Sequence, residues 1–195
     1  ANLRAATLAQ AQALPDLRAK PMRCRAVNYC IAQRLATLFA LLPLAGCSAP
    51  RLTLEPRWAP LTEIIERPAP AGVALSTRAI ATVGHQVLVH DLADFVRRHP
   101  PGSARLEALL LHEQEHASRQ EAAGLGLWLA RYVSDRAFMW AEEQRGWALE
   151  LQALRAAGLR RDPREVAAVL TGYRNLEGPM CSYAEALAFA EAAQR

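Results

Sequence analysis

Residues 109–120 read LLLHEQEHASRQ, and they place His112 and His116 four positions apart with Glu113 directly after the first histidine. In a helix, side chains at this spacing lie on one face, so both imidazoles can reach one tetrahedral Zn²⁺ ion. Glu113 is then rotated by about 100° around the helix axis, which keeps its carboxylate off the metal but beside the open coordination position. The HExxH pattern therefore predicts a zinc site in which Glu113 is the general base and a zinc-bound water is the nucleophile.

The same stretch has a second interpretation, namely an exposed helix with solvated charges and histidines that bind no metal. Glu115 supports this alternative, because helices of zinc proteases more often carry an uncharged residue at that position. Leu106, Leu109 and Leu110 favour a helix with one buried side, since they continue an apolar stripe into the motif.

A catalytic zinc site needs a third protein ligand. No histidine follows His116, and Arg119 and Ala122 stand where a metzincin would carry its glycine and third histidine. That family is excluded, and the ligand is expected to be a downstream carboxylate.

Two neighbouring acids on a predicted long helix over residues 137–157 are available for this role. Glu142 shares a face with Arg145 and is expected to form an ordinary surface pair with it. Glu143 shares a face with large apolar residues, where a carboxylate is costly unless a positive group meets it. We therefore predict Glu143 as the third zinc ligand; the alternative is a half-exposed Glu143 paired with Arg136 or Arg145.

The composition suggests one modest domain, because 195 residues of which 52% are apolar can form a core. The net charge of +4 comes from the N-terminal part, where six basic residues stand against Asp16 and give residues 1–46 a charge of +5. The remainder is close to neutral, so the basic pI gives no reason to expect nucleic-acid binding.

The N-terminal part reads as an export signal that starts at Met22, the first methionine. A basic region with Arg23, Arg25 and Arg34 precedes an apolar run over residues 35–44, which is too short for a permanent membrane span. Residues 1–21 are then expected to be a mis-started or non-native segment.

The apolar run ends in Leu44-Ala45-Gly46-Cys47, which resembles the bacterial lipoprotein signal. The resemblance implies that residues 22–46 are a signal peptide and that Cys47 is lipidated. It also implies a domain held on the extracytoplasmic side of a membrane in the bacterial cell envelope. The alternatives are a signal peptide cut elsewhere and a buried apolar helix. Cys181 is the only cysteine after Cys47, so no intrachain disulfide is expected.

Five prolines punctuate residues 48–70, and we predict a Pro-rich tether over residues 47–70, with a short helical turn near residues 62–66. Residues 73–83 and 86–90 are rich in β-branched side chains and flank Gly84-His85, which predicts a hairpin. Such a hairpin either pairs with an extended substrate or only covers the active-site helix. The domain is expected to span residues 71–195.

Further helices are predicted from their boundary residues. Asp91 caps a helix that ends at Arg98, Ser103 starts the helix of the HExxH motif, and Gly124 stops it. A short apolar helix over residues 127–133 follows. Asp162-Pro163 and a capping box at Ser182 start the last two helices.

These motifs together resemble a group of small bacterial zincin-like metallopeptidases of the HExxH-plus-Glu type. The resemblance covers about residues 73–157 and rests on His112-Glu113-x-x-His116-Ala117-x-x-Gln120, Trp128, Arg131-Tyr132, Phe138 and Glu143-x-x-Gly146-Trp147. It implies an α+β, mostly helical fold with a β-hairpin beside the HExxH helix. It also implies hydrolysis of peptide bonds in a peptide or protein substrate.

One position departs from the pattern of larger gluzincins, in which an acid one turn after the ligand Glu orients a zinc-bound histidine. Trp147 stands there after Glu143, so this contact must come from elsewhere or be absent. Tyr173 and Tyr183 are candidates for stabilising the oxyanion. His85, His90 and His99 are expected at the surface or in turns, and Cys181 as a buried apolar residue.

Two functions other than a peptidase stay open at this point. The first is a zinc-binding or metal-free scaffold lipoprotein that keeps the fold without activity. The second is a helical envelope-interaction lipoprotein that has no metal at all.

Overall fold

The computed structural model describes residues 49–67 and 80–195. These residues adopt an α+β, mostly helical fold, in which a four-stranded sheet precedes six helices. The predicted fold class is confirmed. The predicted signal peptide and Cys47 lie outside the described residues.

The sheet consists of short strands, namely β1 (Arg51–Thr53), β2 (Glu63–Glu66), β3 (Ile80–Val83) and β4 (Gln86–Val89). Their order across the sheet is β1-β2-β4-β3. β1 is antiparallel to β2, β2 is parallel to β4, and β3 is antiparallel to β4. The hairpin predicted around Gly84-His85 is confirmed for Ile80–Val89, while residues 73–79 lie outside the described part of the chain.

The prediction of an extended tether over residues 47–70 is wrong for its described part. Residues 51–66 supply two strands and a 3-10 turn (Pro56–Trp58), and the expected helical turn at residues 62–66 is strand β2. Trp58, Leu61 and Ile64 are buried in the core. Pro56 and Pro60 stand between β1 and β2, and Pro50 directly precedes β1, so none of these prolines removes a hydrogen bond from a strand.

Six helices follow the sheet: α1 (Leu92–Arg98), α2 (Ala104–Ala123), α3 (Leu125–Ser134), α4 (Arg136–Ala156), α5 (Pro163–Leu170) and α6 (Tyr183–Ala193). A two-stranded pair, β5 (Arg174–Asn175) and β6 (Gly178–Pro179), separates α5 from α6. The predicted helix over residues 127–133 is longer than expected, because α3 starts directly after Gly124.

The helix boundaries follow the predicted caps. Side chains of Asp91, Ser103 and Asp162 accept hydrogen bonds from the first-turn amides of α1, α2 and α5. Ser182 and Glu185 form the predicted capping box at the start of α6. Each contact satisfies an amide that has no partner inside its helix.

Two apolar clusters lie on either side of the α2–α4 helix pair. The first joins the sheet to α2 and contains Trp58, Leu61, Ile64, Val87, Val89, Phe95, Leu106, Leu109, Leu110 and Ala117. The second joins α4 to α5 and α6 and contains Met139, Trp147, Leu151, Val166, Ala167, Leu170, Met180, Cys181, Ala186 and Ala190. Between them, buried histidines and glutamates fill the space where α2 packs along α4.

Within residues 49–67 and 80–195, none of the helices combines the length and the apolar character needed to cross a membrane.

Candidate metal centre

His112, His116 and Glu143 come together between α2 and α4 and form a group that could hold a metal ion. The two Nε2 atoms lie 3.1 Å apart. Glu143 places Oε1 3.4 Å from Nε2 of His116 and Oε2 3.7 Å from Nε2 of His112. The three predicted ligands are thus within reach of one ion, and all three are buried.

Glu143 is ionised in this setting despite its burial. Burial alone would raise its pKa, but the hydrogen bond and charge of His116 and the charge of His112 hold the pKa below its usual range. Its Oε2 atom is buried and has no hydrogen-bond partner. A buried carboxylate oxygen without a partner is costly, and a cation would satisfy it.

Glu150 supplies the orienting contact that the sequence pattern left unassigned. Its Oε2 lies 3.1 Å from Nδ1 of His112, and its Oε1 accepts from Nη1 of Arg161 at 3.0 Å. Seven residues separate Glu150 from Glu143, so the two acids lie on the same face of α4, two turns apart. Trp147, one turn after Glu143, packs its ring edge against His112 instead.

The carboxylates around His112 also determine its charge. Burial lowers the pKa of His112, but the hydrogen bond to Glu150 and the charges of Glu113 and Glu143 outweigh it and raise the pKa to about 9.

Gly146 allows α4 to approach the ring of His112. A Cβ atom at this position would lie 2.5 Å from Nε2 of His112 and closer still to Cδ2. Non-bonded carbon and nitrogen atoms do not approach this closely, so any residue larger than glycine would displace the imidazole.

Glu113 is buried next to the group but is held by the sheet. Thr82 on β3 donates its hydroxyl hydrogen to Oε2 of Glu113 at 2.7 Å. The offset expected from helical geometry is therefore present, because Glu113 faces β3 while the two histidines face α4.

Gln120 fixes β3 against α2, and β3 is an edge strand among the strands that the structure describes. Nε2 of Gln120 donates to the carbonyl of Thr82 at 2.8 Å, and Oε1 of Gln120 accepts from the amide of Gly84 at 2.7 Å. This part of the hairpin edge is thus already hydrogen-bonded within the chain.

The prediction that Glu142 pairs with Arg145 at the surface is wrong. Glu142 is only 1% exposed. Arg119 binds both of its oxygens, with Nη2 at 2.5 Å and Nε at 2.6 Å, and Nε1 of Trp128 donates to it at 3.1 Å. Helical faces alone did not separate the two acids, because side chains of α2 and α3 contact both Glu142 and Glu143.

The tyrosine nearest to the group is Tyr132 on α3, which donates its hydroxyl hydrogen to Oε1 of Glu143. Of the two tyrosines considered from sequence, Tyr183 is exposed on α6. Burial and, to a smaller extent, the negative charge of Glu143 raise the pKa of Tyr173 well above its usual range. Tyr132 belongs to the Arg131-Tyr132 part of the sequence pattern. Its hydrogen bond to Glu143 depends on how α3 packs against α4, and residue spacing does not predict that packing.

The remaining histidines lie away from the group, as predicted. His85 contacts the carbonyl of Pro60, His90 is exposed, and His99 packs against Phe95. Cys181 is a buried free cysteine, as expected. The interpretation of α2 as an exposed helix with solvated charges at Glu113 is wrong, because His112, Glu113 and His116 are all buried.

In comparisons with known proteins, no family model, no curated protein sequence and no solved structure matches this chain.

Proposed function

We propose that this chain is a zinc-dependent peptidase in which His112, His116 and Glu143 hold the ion and Glu113 is the general base. The observation that carries the proposal is the buried His-His-Glu group with a fourth carboxylate, Glu113, held beside it by Thr82. The peptide bond as the substrate class comes from the resemblance of about residues 73–157 to small zincin-like peptidases.

The distances between the donor atoms support zinc as the ion. Bonds of about 2.0–2.1 Å in a tetrahedral zinc site place ligand atoms about 3.3–3.4 Å apart. The two Nε2 atoms lie 3.1 Å apart, and each has one oxygen of Glu143 close to it: Oε1 is 3.4 Å from His116 and Oε2 is 3.7 Å from His112. Two imidazoles and one carboxylate are also the ligand set of well-known zinc hydrolases, and three protein ligands leave one coordination position open.

His112 is oriented for this role by its contact with Glu150. A carboxylate at Nδ1 holds the proton there and leaves the lone pair of Nε2 directed at the ion, as in the carboxylate–histidine–zinc arrangement. Arg161 binds the other oxygen of Glu150 and so fixes the carboxylate in place.

Glu113 performs the proton transfers. A zinc ion held by His112, His116 and Glu143 would supply Lewis-acid polarisation of the substrate carbonyl and activation of water. Glu113 accepts the proton from the attacking water and passes it to the leaving amine. The hydrogen bond from Thr82 keeps one oxygen of Glu113 in place during both steps.

The proposal is tested by Glu113→Gln and His112→Ala, with metal content and peptidase activity measured on each purified protein. Glu113→Gln retains an oxygen that can accept from Thr82, so it should keep zinc and stability while the rate of hydrolysis falls by about 10² to 10⁴. His112→Ala should lose metal and activity together, because a ligand is removed.

Two results would contradict the assignment. If Glu113→Gln loses zinc, Glu113 is a ligand and the proposed roles are wrong. If wild-type protein binds no zinc, the peptidase is rejected.

One observation favours a second function, that of a zinc-binding scaffold without activity. His112, Glu113, His116 and Glu143 are each at most 5% exposed, whereas a substrate must reach the open coordination position. The scaffold replaces the enzyme if wild type and Glu113→Gln both hold zinc and show equal activity on every peptide tried.

We also propose a lipid anchor at Cys47 and a place in the bacterial cell envelope, on the basis of Leu44-Ala45-Gly46-Cys47. Cys47→Ser should release the protein from membranes in a fractionation experiment. A variant that stays with the membrane after its signal has been cleaved would reject the anchor.

A further inference from the structure

Two aromatic side chains of α3 form hydrogen bonds with the two neighbouring acids of α4, one with each acid. Nε1 of Trp128 donates to Glu142, while the hydroxyl of Tyr132, one turn further along α3, donates to Glu143. The two aromatic rings stack, with centroids 4.7 Å apart and planes at 16°. The hydroxyl of Tyr132 is therefore held in place by a rigid pair of rings.

The oxygens of the two acids have different partners as a result. Both oxygens of Glu142 are bonded, to Arg119 and Trp128. In Glu143, Oε1 accepts from Tyr132, whereas Oε2 is buried without a hydrogen-bond partner and lies 3.7 Å from Nε2 of His112. Oε2 of Glu143 is thus the one oxygen of the two acids that has no hydrogen-bond donor, although Oε1 also lies near the site, 3.4 Å from Nε2 of His116.

We propose that Tyr132 is a positioning residue that makes Glu143 a one-oxygen metal ligand, an inference that rests on the metal site proposed above. Tyr132 occupies Oε1 and leaves Oε2 to bind the ion. A carboxylate that bound through both oxygens would fill a further coordination position, and that position is the one a substrate or water needs. Tyr132 thus keeps the site four-coordinate with one open position.

A further contact agrees with a hydroxyl donor that is fixed at this place. The ring of Tyr132 also lies edge-on to His116, with centroids 6.5 Å apart, so the ring packs against a second proposed ligand.

The test is Tyr132→Phe, which keeps the ring stack and removes only the hydroxyl. Purified wild-type and variant proteins are stripped of metal and loaded with Co²⁺, whose visible absorption is strong in four-coordinate sites and weaker at higher coordination number. We expect the absorption of the variant to fall as Glu143 binds through both oxygens. Its zinc dissociation constant should rise by about 10- to 100-fold, the usual effect of losing such a contact.

Trp128→Phe is the matched control, because it removes the other donor of the same stack. It should leave the Co²⁺ spectrum unchanged, since the hydrogen bond that it loses goes to Glu142 and its phenyl ring can still pack against Tyr132 and His116. Thermal unfolding of each metal-free protein checks that the variants are folded. If Tyr132→Phe does not fold, X-ray absorption of the wild-type zinc protein decides: a four-coordinate site supports the inference and a five-coordinate site overturns it.

The failure of the inference and the failure of the proposed function give different results. If wild type binds Co²⁺ and Tyr132→Phe has the same spectrum and the same zinc affinity, Tyr132 does not set the ligand and the metal site itself still stands. If wild type binds neither ion, the metal site is rejected and the role of Tyr132 falls with it.

Discussion

The position of His112 depends on the absence of a side chain at Gly146. Within a helix, Gly→Ala normally stabilises by about 0.5–1 kcal/mol. At Gly146 the added methyl group would overlap the imidazole, so we expect the opposite sign for stability and a loss of metal affinity.

The measurement is urea unfolding together with zinc competition for Gly146→Ala, with Gly126→Ala on α3 as the control. A Cβ atom at Gly126 would have no neighbour within 4 Å, so its replacement should follow the ordinary helix trend and leave zinc binding unchanged. Equal effects at the two glycines would show that the ring of His112 moves aside at no cost.

The charge of His112 predicts how stability depends on pH in protein from which metal has been removed. Its folded pKa of about 9 lies above the unfolded value of about 6.5. The bound proton therefore stabilises the fold fully below about pH 6.5, and this contribution is lost as the pH rises through about 9. The free energy of unfolding, measured in urea with a chelator present, should decrease over this range.

Glu150→Gln serves as the control for this pH dependence, because the hydrogen bond to Glu150 contributes most to the rise in the pKa of His112. The variant should show a weaker decrease between about pH 6.5 and 9. A stability that increases with pH over this range in the wild type would contradict the assigned charge state.

At the residue scale, the sequence predicted those members of the site that one helix positions relative to each other. His112, Glu113 and His116 follow from spacing on α2 alone. Glu150 was missed although its spacing of seven from Glu143 places both on one face of α4, so the signal was present. Thr82 and Tyr132 could not be predicted, because their contacts depend on how β3 and α3 approach the helices.

At the scale of elements, α2 and α3 decide which acid of α4 can bind metal. Glu143→Gln should lose zinc, because it removes the charged ligand. Glu142→Gln should keep zinc but lose about 1–3 kcal/mol of stability, since a buried pair is broken and Arg119, 35% exposed, still reaches solvent. Metal analysis and urea unfolding of both variants measure the two effects.

Glu143→Gln and Glu142→Gln are matched controls for each other, because each replaces one buried carboxylate of α4 with an amide. Equal zinc content in both would reject the assignment of Glu143. Zinc loss from Glu142→Gln alone would make Glu142 the ligand.

The elements predicted best were those with strong boundary signals. Capping residues and prolines predicted most helix ends to within one or two residues of the observed boundary, because local hydrogen bonds fix these positions. β1 and β2 were missed because each is three or four residues long and gains its stability from pairing with distant strands. Short strands carry little local signal of this kind.

At the scale of the whole molecule, the site is a polar layer between two apolar clusters. Because α2 belongs to one cluster and α4 to the other, a bound ion would connect the two halves. Zinc at about 1,000 times its dissociation constant would add about 4 kcal/mol to stability. Removing it with a chelator should therefore lower the melting temperature.

His112→Ala should show no such change with chelator, since it lacks a ligand, and calorimetry of both proteins makes the comparison. A chelator effect of equal size in wild type and His112→Ala would place the stabilising ion elsewhere.

The bonding of Gln120 to β3 has a consequence for how copies of this protein meet. Exposed sheet edges invite strands from neighbouring molecules. One edge here is occupied by the amide of Gln120, and the other is β1, a strand of three residues that carries Arg51. Among the strands that the structure describes, one carbonyl of β3 is thus already bonded and β1 is short, so strand addition between copies is disfavoured.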